Sequence, residues 1–425
     1  MPRLKMRLIR RMLFFLCSLL PIACFTQVLT LEKSQELARL NYPLVKQKQL
    51  IRQTADINIA NLGKSYLPQL SLGGQATYQS DVTQVSIPVS GFKIEPPGKD
   101  QYKVTADINQ LLYDGGTTKH QKALQLLNAS VEDQQVEVEL YSLKERINQV
   151  FLSILYLDEQ MKQADLIKED LQTGIKKVEA QVENKIAFRS SLNLLKAEWL
   201  KADQRLIELK ASRKGLTETL GLFLNRQLDE NVKLEKPETP ILAMASISRP
   251  EITLFSNQSQ LLDHQKKLIE AKNRPRSGLF FQGGYGRPAL NLLKNEFDFF
   301  YIGGIRLNWS LGGLYIRKKE KQLIDINQQI VHIRKDQFLL NTNTQLTQQA
   351  TEIEKLNKLI TSDNEIIALR VSVKNAAKAQ LENGVITAND YLREVNAEDL
   401  SRQAMISHQL QLLQATINYS TITGK

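Results

Sequence analysis

Leu314 to Asn383 contains neither proline nor glycine, and neither does Thr117 to Thr173. Proline breaks helix interiors and glycine weakens them, so stretches of this length without either are candidate helices far longer than a globular domain uses. At about 1.5 Å per residue the longer one reaches roughly 105 Å. The first stretch carries a coiled-coil seam of Val136, Leu140, Leu143, Ile147, Val150, Ile154, Leu157, Met161 and Ala164, stepping by four and three in turn. The register slips near Ile167 and resumes as Leu171, Ile175, Val178 and Val182. A looser seam follows in the second half: Leu323, Ile326, Ile330 and Ile333, then Leu346, Ala350, Ile353, Leu356 and Ile360, with Ile406, Leu410, Leu413 and Ile417 on a returning helix. Glutamine, asparagine and lysine fill the other faces, which predicts hairpins packed side by side with a wet surface.

The two stretches belong to two copies of one plan. Pro43 and Pro68 bracket a polar helical segment, Pro250 and Pro275 bracket another, and each pair is 25 residues apart. After the second proline of each pair come two alternating strands, then Gly115-Gly116 or Gly312-Gly313, then the long helix. Further along, Glu183-Asn184-Lys185-Ile186 answers Glu382-Asn383-Gly384-Val385, and Leu192 with Ala197-Glu198 answers Leu392 with Ala397-Glu398. The expected domains are a signal peptide at 1–27, a first repeat at 28–228, a linker at 229–247 and a second repeat at 248–425. A period near 200 is too long for a solenoid and reads as a duplicated half-molecule.

Four segments have the period-two pattern of strands. In Gln69–Gln79, Leu70, Leu72, Ala76 and Tyr78 share one face; in Gln101–Asn109, Tyr102, Val104, Ala106 and Ile108 do. Leu279–Tyr285 is glycine-rich and less clear, and Phe297–Leu311 aligns Phe297, Phe299, Tyr301, Ile305, Leu307, Trp309 and Leu311, with Phe300 and Ile302 interrupting its polar face. Alternation alone also fits an ordinary sheet with one buried face. Aromatic residues near strand ends, Tyr78, Tyr102, Tyr285, Tyr301 and Trp309, point instead to the girdle of a membrane barrel. Four strands cannot close such a barrel, so several chains must contribute. The segments Asp81–Asp100 and Gly286–Glu296, rich in proline, glycine or charge, are expected as its extracellular loops.

The compartment follows from the first 27 residues, where Arg3, Lys5, Arg7, Arg10 and Arg11 precede the apolar run Met12–Ala23, too short to span a bilayer. This is read as a signal peptide. Both cysteines, Cys17 and Cys24, lie inside it, so the mature chain is expected to hold no thiol and no disulfide. Lipidation at Cys24 is an alternative, although Pro21 and Ile22 fit a lipobox poorly. Without the five signal cations the formal charge falls from +11 to about +6, which calls for no nucleic acid partner. Nothing after residue 27 is long and apolar enough for a transmembrane helix, so membrane insertion requires a barrel.

Taken together these motifs resemble the TolC-like outer-membrane efflux protein family. Leu29-Thr30-Leu31-Glu32-Lys33-Ser34, Asn41-Tyr42-Pro43 and Tyr66-Leu67-Pro68-Gln69-Leu70-Ser71-Leu72 resemble its opening helix and first strand. Leu112-Tyr113-Asp114-Gly115-Gly116 resembles its strand-to-helix junction, and Glu382-Asn383-Gly384-Val385 with Asp390-Tyr391-Leu392 its periplasmic tip. The resemblance implies an α+β membrane protein: long α-helical coiled-coil hairpins plus two β-hairpins per chain, forming as a homotrimer a 12-stranded outer-membrane barrel and a periplasmic α-barrel tunnel. It implies an exit duct of a tripartite efflux or type I secretion system, sited in the bacterial outer membrane and extending into the periplasm. The partners it implies are outer-membrane lipid, a periplasmic adaptor (membrane fusion) protein and an inner-membrane pump of RND, ABC or MFS type. Family members often place two acidic residues one helical turn apart at the tip; Asp390 matches the first, but Arg393 stands at the second. Lys185 and Arg189 on one turn, facing Asp390 on the other, are expected to form cross-turn ion pairs that hold the tip shut.

No catalytic constellation is expected, and no cofactor or metal. His120, His264, His332 and His408 lie at no ligand spacing and read as solvated helix residues. Gly283-Gly284-Tyr285-Gly286 lies within a strand pattern rather than between a strand and a helix, as a phosphate loop would. The alternative is a secreted periplasmic coiled-coil structural or adaptor protein, which explains the helices and the signal but not the paired alternating strands.

Overall fold

A computed structural model describes residues 28–84, 96–238 and 246–424. The expected signal peptide, Cys24 and the central part of the first expected loop, Gly91 included, lie outside these residues. In chain order the elements are α1 (Leu31–Asn41), α2 (Leu44–Gly63), β1 (Gln69–Tyr78), β2 (Asp100–Tyr113), α3 (Thr117–Glu183) and α4 (Arg189–Leu224). There follow α5 (Pro250–Lys272), β3 (Arg276–Arg287), β4 (Asp298–Asn308), α6 (Gly313–Glu382) and α7 (Ala388–Thr423). The long helices α3 and α6 have 67 and 70 residues. The first runs on through Gly174, where the breaker-free stretch ends, because the apolar seam continues beyond it.

The chain forms two compact units. One comprises Pro43–Ser142, Met244–Gln348 and Thr421–Lys425 and contains the sheet, four antiparallel strands in the order β1-β2-β3-β4. Leu70 pairs with Ile108, Val104 with Tyr285 and Tyr285 with Phe299, so the apolar positions of all four strands share one face. The glycine-rich β3, blurred in the sequence, is a full 12-residue strand. A Cβ on its Gly278 or Gly286 would lie 2.7 Å from a backbone carbonyl oxygen of β2, and Gly284 stands where the neighbouring strand lays an aromatic ring: a Cβ there would come within 2.6 Å of the Phe300 ring. Phe300, a misfit on the polar face by alternation, is thereby 7% exposed and accepts Lys103 Nζ 4.8 Å from its ring centre. β4 is shorter than expected, ending at Asn308, so Trp309 and Leu311 lie in the connection to α6.

The junction from β2 to α3 is set by Asp114, whose carboxylate accepts the amides of Gly116 (2.8 Å) and Thr118 (2.6 Å) and so caps the helix. Gly115 adopts φ 74°, and a Cβ there would lie 2.7 Å from the Ala271 carbonyl oxygen. Only glycine fits that close approach. Elsewhere in this unit Lys48 bridges Asp133 (3.2 Å) and Glu137 (2.5 Å), linking α2 to α3.

The other unit comprises residues 28–42, 143–238 and 349–420. One of its apolar clusters joins Leu31 and Ala38 of α1 with Leu143, Ile147, Phe151, Leu152 and Ile154 of α3, Leu220 and Leu224 of α4, and Leu413 and Ile417 of α7. The seam read from the sequence supplies much of that core. A second cluster, nearer the hairpin ends, joins Leu171, Ile175 and Val178 to Leu192, Leu195, Leu381, Tyr391, Leu392 and Val395. The described part of the expected linker is strapped down rather than loose. Leu29 donates to the Lys233 carbonyl and accepts from Glu235, both at 3.0 Å, while Arg213 grips Asp158 (2.5 Å) and the Val232 carbonyl (2.7 Å).

Candidate functional site: the strand face and the hairpin tips

The expected girdle residues fall on or beside a sheet face in one unit, and the expected tip residues at the hairpin turns of the other. On the sheet, Leu72 is 79% exposed, Phe299 82% and Tyr301 74%, and Leu70, Ile305 and Leu307 are also uncovered. The apolar face is open. Tyr78, Tyr102 and Tyr285 lie at the loop end of this face, Tyr301 one rung inward, and Trp309 past the opposite end, its Nε1 donating to the Asn273 carbonyl at 3.0 Å. At the loop end Phe297 and Phe299 join Tyr285, with ring centres 5.6 and 4.7 Å away.

Simple alternation misses Tyr113. A register shift between Leu111 and Tyr113 adds one residue to β2, so Tyr113 pairs with Ser277 and turns to the apolar face, at the same end as Trp309. Strands of 10 to 14 residues are long enough for a tilted strand, which needs about 9–11, to cross a bilayer. Between the loops, the Gly98 amide donates to Asn295 Oδ1 (2.9 Å), and Lys294 pairs with Glu296 (3.3 Å) and Asp298 (3.6 Å).

At the tips, α3 and α6 end in the same way. Ile186 donates its amide to the Gln181 carbonyl (2.8 Å) and Val385 to Gln380 (2.9 Å), the six-to-one bond of a Schellman turn. The left-handed residue between is Lys185 (φ 61°) in one turn and Gly384 (φ 70°) in the other. Lys185, Arg189 and Arg393 are exposed and Asp390 is half-buried. The carboxylate of Asp390 accepts the Thr387 hydroxyl (2.7 Å) and amide (3.1 Å), while the Asp390 amide donates back to Thr387 Oγ1 (3.2 Å). This is a capping box opening α7. Those hydrogen bonds, then the nearby Arg393 charge, hold the Asp390 carboxyl below its ordinary pKa.

Within the chain, among the described residues, no ion pair links Asp390 to Lys185 or Arg189, and Arg393 pairs with Glu394 (3.2 Å). The ionic ties lie elsewhere. Lys177 of α3 pairs with Glu382 at the end of α6, and Gln181 donates to the Leu381 carbonyl at 2.9 Å. Deeper in, Lys374 sits between Asp170 (2.7 Å) and Glu398 (2.5 Å), and Arg402 completes the cluster on Glu398 (2.7 Å). Beside it Tyr391 is buried, which pushes its hydroxyl pKa up to about 12. Lys374, Asp170 and Glu398 meet only through folding, on helices more than 200 positions apart for one pair, so spacing could not reveal them. His408 differs from the solvated histidine expected: its Nδ1 lies 2.6 Å from Asp363 Oδ2, a tie between α7 and α6. No group of three or more potential metal-ligating side chains occurs among the described residues.

A four-stranded sheet with an uncovered apolar face, followed by helices of about 70 residues, is a fold this chain shares with solved outer-membrane channels. The described chain resembles VceC of Vibrio cholerae (TM-score 0.65, 15% identity, covering 92% of this chain and 95% of that one). It also resembles CmeC of Campylobacter jejuni (0.63, 11%, 93% and 85%) and the open state of MtrE of Neisseria gonorrhoeae (0.65, 15%, 93% and 89%). Residues 35–226 match the model of the outer membrane efflux protein family, so the family resemblance carried by the sequence motifs holds. No curated protein sequence matches the chain.

Proposed function

We propose that this protein is the outer-membrane exit duct of an efflux or type I secretion system, a trimer that passively conducts cargo from an inner-membrane pump. The observation that carries this reading is the sheet. Its apolar face is open, and its edges β1 and β4 are long strands with unpaired backbone groups, an arrangement that aggregates in water unless it is covered and closed. Lipid covers the face, and β4 of one protomer pairing with β1 of the next closes the ring. Three copies supply twelve strands, above the minimum of about eight for a membrane barrel. The same assembly covers the exposed seam Leu323, Ile326, Ile330 and Ile333 on α6, which finds no cover within the protomer. A soluble coiled-coil scaffold leaves both surfaces wet.

The partners on this reading are a periplasmic adaptor and a pump, docked at the helical end. With the hairpin tips converging there, Lys185, Arg189, Asp390 and Arg393 lie around the narrow mouth, and pairing between protomers takes the place of the intramolecular pairs. The protein should fractionate with outer membranes, require detergent, and give discrete conductance steps in planar bilayers. A detergent-free monomer with no conductance overturns the reading. Arg189→Ala should raise single-channel conductance if the tip charges narrow the mouth.

A further inference from the structure

The polar face of the sheet carries a cationic and aromatic cradle at its helix-proximal end. Register places Arg276, Gly278 and Phe280 of β3 beside Asn308, Arg306 and Gly304 of β4, all with the parity opposite to the apolar face. The guanidinium of Arg306 lies over the Phe280 ring, 4.5 Å from its centre. Arg276 stands one rung away, and neither arginine pairs with a carboxylate among the described residues. The acidic residue on the next rungs, Asp107, is occupied by Gln282 (2.6 Å) and Thr105 (3.1 Å).

Two like charges on diagonal neighbours of a sheet repel each other, and an anion shared between the two exposed arginines relieves that repulsion. Space for one exists. Gly278 has no side chain because a Cβ would strike the Gln110 carbonyl oxygen at 2.7 Å, and the residues around it line an open depression of about 240 Å³, among them Gln69, Asn109, Arg276, Phe280 and Arg306. The volume suits a bicyclic aromatic or similar small group rather than a bare ion. Neutral amides and the Phe280 ring line the wall, and the arginines supply the charge.

We propose that this cradle is a transit site for amphiphilic anions, compounds that join a carboxylate or sulfonate to a flat apolar body. The site rests on the channel reading, in which the polar face lines the lumen. In the trimer six arginines then form one band, whose field focuses anions in the narrow lumen. The carboxylate bridges Arg276 and Arg306 while the ring packs on Phe280, weakly enough to release.

The test is a planar-bilayer measurement on the full-length trimer under a potassium chloride gradient, with 2-naphthoate and the cation 2-naphthylmethylammonium as probes. Wild-type channels should favour chloride more than the Arg276→Gln/Arg306→Gln double variant, whose anion-to-cation permeability ratio falls at least two-fold. 2-Naphthoate at millimolar concentration should block wild-type current at least three-fold more than 2-naphthylmethylammonium. Phe280→Leu should keep the reversal potential and lose most of that block. An unchanged permeability ratio in a double variant that conducts, or equal block by the two probes, overturns the inference and leaves the channel reading standing. Absence of conductance in the wild type overturns both.

Discussion

Residues 180–191 and 379–390 make the same turn with different side chains. Both end a long helix through a Schellman bond and a left-handed residue, yet one turn places Lys185 where the other has Gly384. The helix that follows opens on Phe188, with no side-chain cap and 82% exposure, in one hairpin, and on the Thr387–Asp390 capping box in the other. Behind the turns, Glu398 is buried among Lys374 and Arg402, whereas Glu198 meets only the exposed Lys201 at 2.6 Å. Backbone geometry is shared; the α6–α7 hairpin carries a buried charge cluster on Glu398 and a cap, while the α3–α4 hairpin is tied by its apolar seam and by the pairs Lys168–Asp203 (2.5 Å), Lys196–Glu179 (3.1 Å) and Arg213–Asp158 (2.5 Å). The difference teaches that two hairpins of one backbone shape are held by different side-chain ties.

The largest test removes Lys374. Glu398 is 5% exposed at its side chain and Lys374 14%, so Lys374→Ala leaves a desolvated carboxylate with Arg402 alone. Breaking a buried pair costs about 3–5 kcal/mol, and the remaining arginine reduces this to about 2–3 kcal/mol. Amide hydrogen exchange across 370–400 should speed by one to two orders of magnitude. Glu198→Ala, whose partner is 69% exposed, should cost under about 0.5 kcal/mol and change exchange across 190–205 hardly at all. Equal effects at the two sites break the comparison.

Exchanging the caps comes next. Thr387→Ala deletes an N-cap and should cost about 1 kcal/mol, read as several-fold faster exchange in the first turn of α7. Phe188→Ser should move the first turn of α4 the other way by a similar amount. A smaller shift follows from exchanging the left-handed residues. Lys185→Gly relieves a side chain from a conformation that costs about 1 kcal/mol, and greater freedom in the unfolded chain offsets part of it, leaving about 0.5 kcal/mol of stabilisation. Gly384→Lys should show the opposite sign. If both substitutions slow exchange, the two turns are not equivalent in backbone.

The sequence made the helices legible because a missing breaker and a four-three seam are local signals, and the structure places α3 and α6 close to the breaker-free bounds. It made three strands legible by alternation. β3 was blurred because Gly278, Gly284 and Gly286 occupy polar-face positions emptied for a neighbouring ring or backbone, a tertiary cause that alternation does not carry. Tyr113 was missed because a single inserted residue reverses parity. At the tip the charged residues were visible but their partners were not. Asp390 is one turn from Thr387, a spacing open to a capping-box reading. The Asp170–Lys374–Glu398 cluster left no trace in spacing, since three separate helices bring it together.

The smallest effect is the pH dependence of that capping box, and its sign can be derived. Thr387 donates to the ionised form of Asp390 through its hydroxyl and its amide, so the folded carboxyl has a pKa below its ordinary value of 3.8. A group whose folded pKa is depressed contributes stability that is fully present above the unfolded pKa and lost as pH falls through the folded pKa. The cap's contribution should therefore be intact at neutrality and be lost progressively from about pH 5 downwards, through the ordinary 3.8 to the lowered folded pKa. Because Asp390 sits in the first turn of α7, its charge also favours the helix N-terminus, an effect of the same sign. Asp390→Asn keeps an oxygen that accepts from Thr387 but carries no charge. Protection factors of the Thr387 and Asp390 amides, corrected for intrinsic exchange, should fall between pH 4 and pH 2.5 in the wild type and stay flat in the variant. The uncapped Phe188 turn should stay flat in both proteins. A parallel decline at both turns assigns the change to global acid loosening and removes the capping box as the source of the difference between the hairpins.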